Sequence, residues 1–480
     1  MAYTRRFLTN YFVLVAGDLG SRIMAFYAMV HIARVLGKDL FGILGFAAAF
    51  TAYFEIIARQ GLDLWGIQEV AREPSAAKHH ADTLIGLRLA TSTIAFGLMS
   101  LIAWQLLKPI ELKMLVILSG LMFFTAAVSP QWVFQAKEEM KFAAAARILS
   151  TLIFAILVLS LLGSAGQILY VPIFQFCSEA VAVIWLLLVF ARRYGFPRPS
   201  FDFRTWGQIL RLSVQTAVEG VFGVLLFNFD MLMLGFWRPA HEVGEYSAAY
   251  KFINFFSSFA FLYGATLLPL IARNRGNPAV LRQVSGTSLK YTLLLVMPFA
   301  AGGTFLARDT MDLIFGSQFA ASAGALAILI WVIPMVACRV VFRNTLLSHG
   351  LQRDLLWCAG CAAAINACLN LILIPGYSYI GSAAAMVITE AVLLLLVHRQ
   401  VARKVVRISL LAGFWRPALA CIPMVMLLSW SGSASLVTRI AAGAFVYIAA
   451  AWIVGAYSLS EIRAAIKLQA GRPEKSSPAP

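Results

Sequence analysis

Residues 152–162 read Leu-Ile-Phe-Ala-Ile-Leu-Val-Leu-Ser-Leu-Leu, an apolar run without the alternation of a transmembrane barrel strand. Runs of this kind recur along the chain. The 480 residues are 61% hydrophobic and 13% charged, with mean hydropathy +0.81, against roughly 25% charged residues in soluble domains. Backbone groups in lipid must be satisfied within the spanning element, so the non-alternating runs predict α-helices. A hydrocarbon core of roughly 30 Å takes roughly 20 apolar residues per helix. On that ruler the sequence predicts about fourteen segments, at 10–33, 41–62, 82–106, 113–136, 143–164, 167–190, 207–236, 245–271, 286–306, 320–346, 354–374, 379–397, 410–430 and 437–458. The first carries Asp18 and Arg22 and no small-residue cleavage site follows it, so it reads as a retained helix rather than a signal peptide.

Orientation follows from Lys and Arg in short loops, which are enriched on the cytoplasmic side. With the N-terminus inside, inner segments hold about 22 bases, among them Arg72, Lys137, Arg192, Arg193, Arg273 and Arg403, against about seven outside. Both termini are therefore expected in the cytoplasm. The net charge of +17 belongs to loops facing an anionic leaflet, so membrane lipids account for it and no nucleic-acid partner is implied. The six cysteines lie in apolar segments, and Cys358 and Cys361 form a CxxC by spacing only.

Two stretches repeat at a separation of about 200 residues, the signature of a transporter built from related halves. Ser178-Glu179-Ala180-Val181 leads into an apolar run ending at Arg192, as Thr389-Glu390-Ala391-Val392 leads into one ending at Arg399. Leu36-Gly37 with Phe41-Gly42 matches Leu234-Gly235 with Val243-Gly244. The repeat relates helices of the same direction, hence an N-lobe at 1–195 (six helices) and a C-lobe at 205–400 (six helices). A basic loop with Pro197 and Pro199 joins them. Segments 13 and 14 at 408–460 and a cytoplasmic tail at 461–480 complete the chain.

The sequence contains no GxxxxGK[ST] phosphate loop and no HExxH or paired CxxC pattern, and its outer loops are short. No cofactor, metal or enzyme active site is predicted. What stands out is charge at membrane depth, which costs at least a few kcal/mol unless paired or hydrated. Asp18 and Arg22 sit one turn apart, as do Glu55 and Arg59. Arg88, Arg147, Lys290, Arg339 and Arg343 lie near inner helix ends, where snorkelling to headgroups is the simpler reading; Arg22 and Lys251 lie deeper. Local bases outnumber local acids, which predicts a water-filled cationic cavity open to the cytoplasm, able to hold a diphosphate through guanidinium groups. Its candidates are Arg22, Arg59, Lys251 and Arg88. Asp18, Glu55, Glu219 and Asp230 are candidate ion-coupling or cavity acids. Gln175, Asn366 and Asn370 are candidate glycan contacts, against the commoner use of such residues in interhelical hydrogen bonds. Glu179 and Glu390, as repeat mates, are expected to make structural hydrogen bonds. Pro130 and Pro334 are expected to kink their helices.

Further pieces carry a family likeness: Ala33-Arg34-Val35-Leu36-Gly37 with Phe41-Gly42, Gly61-Leu62 leading to Ala71-Arg72, and Pro130-Gln131-Trp132-Val133-Phe134-Gln135. Asn228-Phe229-Asp230 with Leu234-Gly235, Val243-Gly244-Glu245-Tyr246 with Ala249-Tyr250-Lys251, Phe315-Gly316, and Leu369-Asn370 with Ile374-Pro375 before Gly381 follow. In order and spacing the chain resembles the polysaccharide transporter branch of the multidrug/oligosaccharidyl-lipid/polysaccharide (MOP) flippase superfamily, which includes the O-antigen unit flippases. The resemblance implies an all-α polytopic protein of two pseudo-symmetric lobes around a V-shaped, alternately open cavity. It implies export of undecaprenyl-diphosphate-linked oligosaccharides across the bacterial inner membrane for surface polysaccharide synthesis, with polysaccharide polymerase machinery as a partner. It places cavity bases at Arg22, Arg59 and Lys251, with Lys251 lacking the bidentate fork of an arginine. A peptidoglycan-precursor flippase shares the diphosphate ligand. A cation or drug antiporter of the same superfamily shares the fold but calls for an acidic cavity. A membrane-embedded sugar polymerase or transferase would need catalytic groups such as Glu242 or Asp309 on an outer loop.

Overall fold

The computed structural model describes residues 2–59, 61–432 and 434–456, with side chains from Gly17 onward, that of Gln215 aside. The tail at 461–480 and the side chains of Arg5 and Arg6 lie outside the described residues. Among the described residues every regular element is helical, as the non-alternating apolar runs require. In chain order these are α1 (Ala2–Arg59), α2 (Leu62–Arg72), α3 (Ala77–Gln105), α4 (Ile110–Gly120), α5 (Met122–Val128), α6 (Gln131–Ala136), α7 (Met140–Leu161), α8 (Tyr170–Tyr194) and α9 (Phe203–Trp237). There follow α10 (Ala240–Arg273), α11 (Pro278–Phe305), α12 (Ala307–Phe315), α13 (Ser322–Leu329), α14 (Val332–Ser348), α15 (Gln352–Lys404), α16 (Leu410–Trp430) and α17 (Leu436–Ile453).

Twelve helices among the described residues are long and apolar enough to cross a membrane, and the chain is a multi-pass membrane protein. Two of the twelve spans run for 56 and 53 residues, which at about 1.5 Å per residue is length for two crossings each. Both are broken where hydropathy predicts a boundary. Gly37 interrupts α1 with φ 74° and ψ 172°, a conformation open to glycine because it has no Cβ, and Ser378 interrupts α15 with φ 51° and ψ −137°.

Pro130 does more than kink the predicted segment 113–136: α5 ends at Val128, and α6 starts afresh at Gln131. Pro334 lies in the first turn of α14 rather than in a helix interior, where a missing N–H costs little. Segments expected as loops are helical at α2 and α12.

The chain divides into two compact units, 1–247 and 248–480, with the division inside α10. The Pro-rich loop is tied to α3: the Ser200 N–H donates to the Asp82 carbonyl at 2.9 Å, and the Arg198 N–H donates to Asp82 Oδ1 at 2.6 Å. In the first unit α1 packs on α3, α7 and α9, and α7 packs on α8. The repeated glycines meet one another there. A Cβ on Gly42 would lie 1.9 Å from the Ala240 carbonyl oxygen and 2.7 Å from the Gly244 nitrogen, and one on Gly244 would lie 1.9 Å from the Lys38 oxygen. In the second unit α14 packs on α15, and α16 packs on both α11 and α17.

Candidate functional site

Within the first unit a polar cavity of about 450 Å³ opens between the end of α1 and helices α2, α3, α6, α7 and α8. Arg59, Arg88 and Arg147 line it, with Asp63, Ser129, Gln131, Trp132, Gln135, Ser150, Thr151 and Glu179. The local sequence positions these groups. The Pro130 break withdraws the Ser129 carbonyl from the helical ladder, because the Val133 N–H bonds the Pro130 carbonyl instead, at 3.0 Å. The freed Ser129 oxygen accepts from Arg88 Nη1 at 3.4 Å. On α7 the small run Ala143–Ala146 presents buried Ala143 and Ala146, and small residues let helix backbones approach closely.

Each cavity guanidinium has a carboxylate partner. Arg88 Nη2 lies 2.8 Å from Asp63 Oδ1, Arg59 Nε 2.9 Å from Glu55 Oε1, and Arg147 Nη1 3.0 Å from Asp18 Oδ1. Asp18 also holds Arg22, whose Nε lies 2.7 Å from Oδ2, so one carboxylate bridges two arginines from α1 and α7. Glu179 accepts from the Ser150 hydroxyl at 2.9 Å. Four arginines thus stand against Asp18, Glu55, Asp63 and Glu179, and the cluster is balanced rather than cationic. The i, i+4 rule counts partners on the same helix only, so it missed Asp63, 25 residues before Arg88 in the chain. Snorkelling does not describe Arg88 either, since its side chain is 4% exposed and sealed by its partners. Arg339 is likewise buried and paired, with Glu390.

The remaining candidates fall elsewhere. Lys251, on α10 in the second unit, is half-buried and makes no hydrogen bond or ion pair among the described residues. Glu219 is exposed on α9. Asp230 is fully buried and accepts from the Tyr246 hydroxyl and, at 3.1 Å, from the Met231 N–H. Gln175 is exposed. Asn366 and Asn370 are fully buried and bond each other at 3.1 Å, with Ser382 donating to Asn370 at 2.9 Å. The outer acids are paired too: Asp309 accepts from Arg439, and Glu242 lies 4.0 Å from Arg238. Gln131 and Gln135 line the cavity although sequence reading gave them no ligand role. A polar residue on each side of a proline-started turn is the signal that points to them.

A family model described as polysaccharide biosynthesis protein matches residues 7–275, more than half of the 480-residue chain, and a MatE model matches residues 216–372. A probable low-salt glycan biosynthesis flippase of Haloferax volcanii is 22% identical over 197 residues, 41% of each chain. A putative O-antigen transporter of Escherichia coli strain K12 is 25% identical over 246 residues, 50% of this chain and 58% of that one. The chain therefore spans about half the length of the curated relatives it matches. Among solved structures, the lipid II flippase MurJ in an inward closed conformation superposes with TM-score 0.77 at 16% identity, covering 92% of this chain and 98% of that one. An inward-facing multidrug resistance MATE family transporter of the MOP superfamily gives TM-score 0.61 at 15% identity, over 80% and 94% of the two chains. At these identities the likeness to solved structures establishes the fold, and the family match over residues 7–275 shows that the chain belongs to the polysaccharide biosynthesis protein family.

Proposed function

We propose that this protein translocates undecaprenyl-diphosphate-linked oligosaccharide units from the cytoplasmic to the periplasmic leaflet of a bacterial inner membrane, with both termini cytoplasmic. The observation that carries this reading is the convergence of Arg59, Arg88 and Arg147 on one polar cavity. A guanidinium presents a planar fork that matches phosphate oxygens two at a time. Arg59 and Arg88 take the diphosphate, with Arg22 drawn in through the carboxylate it shares with Arg147. Gln131 and Gln135 are better placed for the first sugar than Gln175, Asn366 or Asn370, because they lie beside the arginines and are not enclosed in a buried amide network. Asp18 and Glu55, which pair with Arg22, Arg147 and Arg59, are the acids to examine for ion coupling; Asp230 is already held by Tyr246. The emerging glycan passes to polymerase machinery outside.

The test is mass spectrometry of polyprenyl-diphosphate-linked glycans in cells lacking the protein, with an external glycosidase reporting the leaflet. Accumulation on the protected side, reversed by the wild-type gene and not by Arg88→Ala or Arg59→Ala, supports the reading. Unchanged glycan levels and sidedness, with altered retention of a cationic dye, would replace it with a cation exporter.

A further inference from the structure

The arginine cavity contains its own anion. Arg88 is 3% exposed and Asp63 is its carboxylate partner at 2.8 Å. Asp63 itself lines the cavity with a side chain 39% exposed. The two halves of this pair face different fates if separated. Arg88 is buried and costly to leave without an anion, whereas the more exposed Asp63 can turn into the cavity and be hydrated. We infer that Asp63 is a stand-in for substrate phosphate: it occupies the Arg88 fork when the site is empty and yields it to a diphosphate oxygen when the site is loaded. This rests on the diphosphate reading above and adds a gating residue to it.

The geometry of the chain makes the exchange consequential. Asp63 sits in the first turn of α2 and Arg88 on α3, so the pair is a tether between two helices as well as a charge balance. Gly61, at the N-cap of α2, has φ 70°, and no side chain of the cap bonds the first turn. The Asp63–Arg88 pair is therefore a polar side-chain hold on the start of α2, beside the apolar packing of the buried Leu62. Loading the site with phosphate satisfies Arg88 and releases that hold. The other two cavity pairs behave differently: the Arg59 and Arg147 side chains are 50% and 57% exposed, so their pairs are hydrated and exchange at little cost. Asp63 is thus the residue that sets how hard an anion must compete.

The experiment is calorimetric titration of the full-length protein in nanodiscs with farnesyl diphosphate, and with farnesol as the uncharged control. If Asp63 occupies Arg88 in most empty molecules, removing the competitor raises apparent affinity by the fraction it blocked. Asp63→Asn should bind farnesyl diphosphate about tenfold more tightly, Asp63→Glu should match the wild type, and the gain should vanish in an Arg88→Ala background. Equal or weaker binding by folded Asp63→Asn overturns the inference while leaving the diphosphate site intact. Wild-type affinity in both Arg88→Ala and Arg59→Ala would instead overturn the site itself. A second readout needs no variant: farnesyl diphosphate added to the wild type should speed amide hydrogen exchange over Leu62–Arg72. Unchanged or slower exchange there means that Asp63 keeps its grip on Arg88, and the inference fails.

Discussion

The two units use the same sequence motif in opposite ways. In the first, Glu179 borders a polar cavity and accepts from Ser150; in the second, its repeat mate Glu390 is 3% exposed and locked to Arg339. The cavities differ in kind as well. That of the first unit is lined by arginines and their carboxylates. A cavity of about 430 Å³ in the second is walled by side chains such as Phe252, Phe256, Phe299, Met424 and Leu428, with Arg439 as its lone charged lining residue. A buried ion pair is a structural commitment, since neither partner can find water, whereas a half-hydrated pair can trade one partner for a ligand. In the second unit the Arg339–Glu390 pair holds helices together, whereas in the first the cavity pairs Arg59–Glu55 and Arg147–Asp18 stay exchangeable.

The sharpest way to break this contrast is Arg339→Ala. It leaves Glu390 buried without a cation, with an expected loss of about 3–5 kcal/mol, read as a large fall in the melting temperature of the detergent-solubilised protein. The double change Arg339→Met with Glu390→Leu should recover most of it. A small effect of the single change would mean that Glu390 reaches water after all, and the contrast with Glu179 would fall. Next is Gly42→Ala, where the new Cβ meets backbone at 1.9 Å and cannot be relieved by a rotamer change. A loss of about 1–3 kcal/mol is expected from overpacking, measured by the same thermal shift.

Smaller effects separate the exchangeable pairs from the sealed one. Glu55→Gln should change stability by no more than about 0.5 kcal/mol, as for other exposed pairs, while Arg59→Gln should be equally mild in stability yet weaken farnesyl diphosphate binding. A loss as large as that of Arg339→Ala would show that the first unit's charges are structural too. The smallest effect concerns Asp202, which caps α9. Its carboxyl is held below its ordinary value of 3.8 by the Thr205 hydroxyl first and then by the N–H groups of Thr205 and Arg204. A depressed pKa means that its stabilisation is present above pH 3.8 and fades as pH falls through the lower folded-state value. The melting-temperature difference between wild type and Asp202→Ala should therefore be small at neutral pH and shrink on strong acidification.

Much of the fold was legible because its signals are local. The breaks at Gly37 and Ser378 fall in the hydropathy gaps at 34–40 and 375–378, and α16 spans the predicted 410–430 with the same ends. The pairs Asp18–Arg22 and Glu55–Arg59 follow from helix periodicity alone. The binding of the Pro-rich stretch by Asp82 was not legible, because the two are 116 residues apart in the chain. Nor was the short helix α2, which is neither long nor apolar enough to register as a span.

The sequence by itself determined that the chain is helical and membrane-spanning, where its main breaks fall, and which ionisable residues must be accounted for at depth. Those properties depend on run length and on neighbours one turn apart, which chain order specifies. Only the tertiary structure decided which charges meet. Arg88 finds Asp63 across two helices, Asp18 joins Arg22 to Arg147, and Glu390 is sealed with Arg339 while Glu179 faces a cavity. The physical reason is that an ion pair between helices depends on crossing angle, rotation and burial, and these are set by the packing of all the neighbouring helices together.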